Sequence, residues 1–150
     1  MAKPITGAIV SEKLALPKWD EAGETWVQFQ RPTRWEDEQI SQLRAQAELV
    51  WDSAEQGTVR QRDSVPLMLQ ETKMVALCLV ESNICTADDI LIFSPGVSVR
   101  RVGKRLTVKQ EQKFLDAWYG LDGELADEIV EKLREWHPPF DFRNPSRGEE

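Results

Sequence analysis

Apolar positions along this chain change period several times, and each change marks an element. From Thr25 to Gln30 the residues Trp26, Gln28 and Gln30 alternate with Val27 and Phe29, which is the two-residue period of a strand. Lys13 to Pro17 is a second short strand-like run. The intervening Asp20-Glu21-Ala22-Gly23 has turn composition, so the pair predicts a β-hairpin that Pro32 ends. Thr33 followed three residues later by Glu36 has the form of a capping box, in which each side chain satisfies a backbone N–H left unpaired at a helix start. Ile40, Leu43, Ala47, Val50, Trp51 and Ala54 then recur at intervals that place them on one helical stripe, until Gly57 stops the run.

A second helix is expected from about Val65 to Ile84, with Pro66 in its first turn, where a missing N–H costs nothing. Its second half is apolar nearly all round, the mark of a buried helix. Met74 to Val80 is also short enough to be a strand, and period alone does not separate the two; helix is the preferred reading. Thr86 to Asp89 reads as a turn, Ile90 to Phe93 as a short strand, and Val97 to Leu106 as an exposed loop or hairpin. Thr107 with Gln110 repeats the capping box and opens a helix carrying Phe114, Leu115, Trp118 and Tyr119. Leu121-Asp122-Gly123 breaks it. A last helix runs from Glu124 to about Trp136, giving an αα-hairpin that Pro138 and Pro139 terminate. The expected fold is therefore mostly helical α+β: an N-terminal β-hairpin, two helices, a short strand and loop segment, and a C-terminal αα-hairpin. Residues 12–137 form one domain between a flexible N-terminus, 1–11, and a flexible tail, 138–150.

Length supports one core, since a chain of 150 residues buries about two thirds of its unfolded surface. The net charge of -7 argues against a duplex-binding protein, which needs a positive surface to release counterions. Two cysteines without framework spacing, and an N-terminus without a signal pattern, point to a reducing cytoplasm. The longest apolar run, Met74 to Val80, falls well short of the roughly 20 residues that span a bilayer.

Candidate chemistry is sparse. The single histidine, His137, lies at a helix end, where capping or a surface role is expected and the helix dipole favours the protonated ring. Cys78 is expected in the core and Cys85 at an exposed helix end, with no base nearby to make a thiolate. The acidic pairs Asp88-Asp89 and Asp127-Glu128 fit turns and solvated helix faces, and neither lies in a longer ligand pattern. No catalytic residue, metal ligand or cofactor is expected. The local anomaly is Arg100, Arg101, Lys104 and Arg105, a basic cluster in an acidic chain that suits a solvated loop first, then an acidic protein partner, and least a single-stranded nucleic acid, since no aromatic residues interleave to stack bases. Trp19, at the hairpin turn, and Trp35, in a helix's first turn, are hard to bury and are candidate protein contacts, because exposed tryptophan is enriched at binding hot spots. Phe140 and Phe142 are the strong hydrophobes of the tail and complete the candidates.

The order of these elements resembles the tail assembly chaperones of long-tailed bacteriophages. A hairpin ending in TWVQFQRPTRWEDEQISQL (Thr25 to Leu43) leads into an amphipathic helix, and the apolar ETKMVALCLVESNI (Glu71 to Ile84) follows. The chain closes with FLDAWYGLDGELADEIVEKLREWHPPF (Phe114 to Phe140). The resemblance implies a small, acidic, non-enzymatic protein of the bacterial host cytoplasm. Such a protein would bind the tape-measure protein, keep its long apolar helices soluble and bring tail-tube subunits to it; self-association is a separate option that the resemblance does not imply. The segment Arg100 to Arg105 is not mapped by that pattern. The alternatives are a structural neck or tail-completion protein of the virion and a small nucleic-acid-binding regulator.

Overall fold

The computed structural model describes residues 8–43 and 65–138, with the backbone alone for 65–69. The expected continuation of the first helix through Ala47 and Ala54 to Gly57, most of the C-terminal tail, and Phe140 and Phe142 lie outside the described residues.

The hairpin forms as its alternation requires. Strand β1 (Leu14–Ala15) and strand β2 (Trp26–Phe29) pair antiparallel with Leu14 opposite Val27 and Ala15 opposite Trp26. Between them Asp20 organises the turn: Oδ1 accepts from Ala22 N–H, and Oδ2 accepts from the backbone N–H groups of Glu24 and Thr25 and from the Thr25 hydroxyl. These bonds favour the ionised carboxylate and hold the Asp20 pKa below its usual value against the opposing effect of desolvation. The expected loose N-terminus is tied down from Ile9 onward. Ser11 N–H donates to the Phe29 carbonyl at 2.7 Å, Phe29 N–H donates to Ser11 Oγ at 3.0 Å, and Arg31 N–H donates to the Ile9 carbonyl.

Helix α1 occupies 34–43 of the described chain and opens with the expected capping box. Thr33 N–H donates to Glu36 Oε1 at 3.0 Å, and Glu36 N–H donates to Thr33 Oγ1 at 3.3 Å. Helix α2 (Val65–Cys78) differs from expectation at its end: it stops at Cys78, and Leu79–Ser82 is strand β3, joined to it without a loop. The last carbonyls of a helix lack intrahelical partners. Here Gln30 N–H donates to the Cys78 carbonyl at 2.7 Å and Arg100 Nη1 donates to the Leu77 carbonyl at 2.9 Å, so tertiary partners terminate the helix where no glycine cap exists. The apolar run Met74–Val80 is buried throughout, serving one element at its start and another at its end.

Strand β3 pairs antiparallel with β2, giving the order β1-β2-β3. Val27 faces Ser82, Gln28 faces Glu81 and Phe29 faces Leu79. The register therefore shifts between Gln28 and Phe29, and Val80 has no directly opposed partner, the arrangement of a β-bulge. The strand expected over Ile90–Phe93 reduces to a bridge between Cys85 and Leu91, closed by Thr86 N–H to the Ile90 carbonyl and Ile92 N–H to the Ile84 carbonyl.

Helix α3 (Val108–Tyr119) begins with the second capping box, Thr107 with Gln110, and helix α4 (Gly123–Trp136) begins at Asp122, whose side chain accepts from Glu124 N–H. Both pack on α2. Their buried stripes, Phe114 and Trp118 on α3 and Leu125, Ile129 and Leu133 on α4, close a core with Phe29, Phe93 and Met74. Aromatic contacts join the layers, a tilted pair Phe93–Phe114 at 5.6 Å and a stacked pair Phe29–Trp136 at 6.1 Å between ring centroids.

Arg100, expected in an exposed loop, is instead only 2% exposed and forms an ion pair with Glu36, itself 3% exposed. Removing one partner leaves a buried charge uncompensated. Arg100→Met is therefore expected to lower the unfolding free energy by about 3–5 kcal/mol, and Glu36→Gln/Arg100→Met to recover part of that loss. Urea unfolding followed by circular dichroism measures both.

Candidate protein-binding surface

With Arg100 turned inward, the other three cations of its cluster are carried on a short, fixed turn. Arg100 anchors one end of it. At the middle, Gly103 N–H donates to Oε1 of the buried Gln30 at 2.7 Å, and Gly103 adopts φ 75°, a conformation that glycine reaches without strain. Lys104 N–H closes the turn on the Arg101 carbonyl at 3.0 Å. The Arg101 guanidinium lies over Gly96, where an added Cβ would fall 2.5 Å from Nε. Arg101, Lys104 and Arg105 remain exposed, and among the described residues none of them has an ion-pair partner.

Trp35 meets this turn. It precedes Glu36 in the first turn of α1, so the residue that caps the helix and holds Arg100 also fixes where Trp35 emerges. The ring is 51% exposed, and the Arg105 guanidinium carbon stands 4.9 Å from its centroid, a cation–π contact. The structure thus brings together Trp35 and Arg105 on a surface that also carries Arg101 and Lys104, and removes Arg100 from it.

Trp19 belongs to a different surface, built on α4. Glu128, 3% exposed, accepts from Lys18 N–H through Oε2 at 2.9 Å and from Trp19 N–H through Oε1 at 2.8 Å. A solvated position was expected for the Asp127-Glu128 pair; Glu128 is a buried clamp that docks the hairpin turn on the helix, with Lys18 Nζ paired to Glu131 at 2.7 Å beside it. Trp19 stays 45% exposed at the edge of an open recess of about 260 Å³ that it shares with Glu124, Asp127 and Glu131. No sequence signal marked Glu128, whose partners lie more than 100 positions away.

A second recess, about 490 Å³, lies between α1, α2 and α3, with Leu43, Ala76 and Leu115 beside the Lys73–Glu111 ion pair. Its lining is partly apolar.

Among the described residues no three His, Cys, Asp or Glu side chains gather to hold a metal ion. None of the described helices is long and apolar enough to cross a membrane. Burial, and then the nearby Glu36, push the Cys78 thiol well up, whereas Cys85 is exposed. The backbone N–H of His137 caps α4 by donating to the Leu133 carbonyl, and the ring lies in surroundings that oppose the effect of the helix end. Burial, reinforced by the Arg31 charge, lowers its pKa from 6.5.

Two measurements follow from these environments. In the native protein Cys85 is expected to react readily with a thiol reagent such as DTNB and Cys78 only on unfolding, so Cys85→Ser should abolish the native reaction. For His137 the unfolded chain takes up the proton first as pH falls. Its contribution is complete above the unfolded pKa of about 6.5 and is lost as pH drops from there through the lower folded value, so urea midpoints of His137→Gln should fall less steeply over that range than those of the wild type. Comparison of the chain with protein-family models, curated proteins and solved structures returned no match.

Proposed function

We propose that this chain is a non-enzymatic, protein-binding assembly chaperone of the phage-tail type. In this reading it binds the tape-measure protein in the cytoplasm of a bacterial host, keeps it soluble and recruits tail-tube subunits. The observation that carries the protein-binding part is the Trp35 surface: a half-exposed tryptophan under Arg105, on a turn anchored by buried groups, with charged neighbours left uncommitted. Trp and Arg are enriched among the residues that carry most of the binding energy of protein interfaces, and a turn whose backbone is already held need not be ordered on binding. The groove between α1, α2 and α3 supports the chaperone part, since a client with long apolar helices is received in such grooves. The order of elements in the sequence supplies the remainder.

The test is co-expression of the tagged chain with the tape-measure protein encoded nearby in its genome. The expected outcome is that a tape-measure protein insoluble alone becomes soluble and co-purifies, and that Trp35→Ala weakens its recovery. A client that stays insoluble and unbound under adequate expression removes the chaperone reading. Finding the chain in purified particles would favour the structural neck or tail-completion role.

A further inference from the structure

Within the protein-binding reading above, the chemistry of the Trp35 surface narrows the partner. We infer that this surface takes an acidic segment of a partner protein, one that carries an apolar side chain among its carboxylates. Arg101, Lys104 and Arg105 are without ion-pair partners among the described residues; so are Lys13, Arg31, Lys109 and Lys113, and what sets the three apart is that they share one short turn beside an exposed tryptophan. Three cations without ion-pair partners on one short turn are a local positive field in a chain of net charge -7.

That turn is also preorganised. The buried bonds of Arg100 and Gln30 hold it, so docking need not order it. Arginine forks match carboxylates in bidentate geometry, and the half-exposed Trp35 ring beside Arg105 offers an apolar contact between them. Nucleic acid fits less well. On this surface a single exposed ring, already in contact with Arg105, is no platform for successive bases.

Fluorescence anisotropy with the full chain tests this, using two labelled peptides that share apolar positions but carry glutamate or lysine at the polar ones, together with labelled oligo-dT. The glutamate peptide is expected to bind, to weaken as salt rises, and to bind about tenfold more weakly to Arg101→Gln/Lys104→Gln/Arg105→Gln. Trp19→Phe should leave binding unchanged. All three exchanged cations are exposed, and an unchanged urea midpoint confirms that the variant folds. The inference is overturned if the glutamate peptide does not bind, if the lysine peptide binds as well, if the triple variant binds like the wild type, or if oligo-dT binds more tightly than the glutamate peptide. The triple variant in the co-expression assay separates the two readings. A tape-measure protein still solubilised by it leaves the chaperone reading standing while the acidic-segment inference fails.

Discussion

Glu36 works with both carboxylate oxygens, and much of the molecule is arranged around that division. Oε1 accepts from Thr33 N–H and starts α1; Oε2 pairs with Arg100, whose Nη1 also donates to the Leu77 carbonyl at the end of α2. One buried contact therefore joins a helix start, a helix end and a loop far along the chain. Taking both charges out of water is costly, and the arrangement is tenable because several of the pair's polar atoms have partners, although Arg100 Nε has none. The stabilisation it gives is modest beside that of an apolar replacement. Its consequence is geometric: the approach of α1 to the α2–β3 junction is fixed by direction-dependent bonds as well as by packing.

Glu128 makes a parallel use of a buried carboxylate. It gathers the backbone N–H groups of Lys18 and Trp19, which the hairpin turn leaves unpaired, and so attaches the sheet to α4. In both cases an acid that is inaccessible to solvent determines where a tryptophan emerges. Trp35 and Trp19 are exposed because the adjoining backbone is held, and the aromatic contacts within the core remain separate from them.

Local signals carried much of the architecture. Both capping boxes are readable because their partners lie three residues apart, and α3 and α4 announce themselves through clear apolar stripes. The hairpin was legible through alternation and the turn composition around Asp20. Met74 to Val80 was not, because every position is buried and a fully buried segment has no polar face to reveal its period. The division at Cys78 is imposed by Gln30 and Arg100, residues remote in sequence. The candidate surface was half legible for the same reason. Composition identified Trp35 and the basic cluster, but only the tertiary pairing across 64 positions separates Arg100, which holds the turn, from its three neighbours, which face solvent.

The direct passage from α2 into β3 has a consequence for how this chain can vary. Without a connecting loop there is no slack at Cys78–Leu79 to absorb an added or deleted residue. A single insertion would exchange the faces of β3, turning Glu81 toward the core and the neighbouring buried side chains outward. The helix-to-strand junction should accordingly keep a constant residue count even where its side chains diverge.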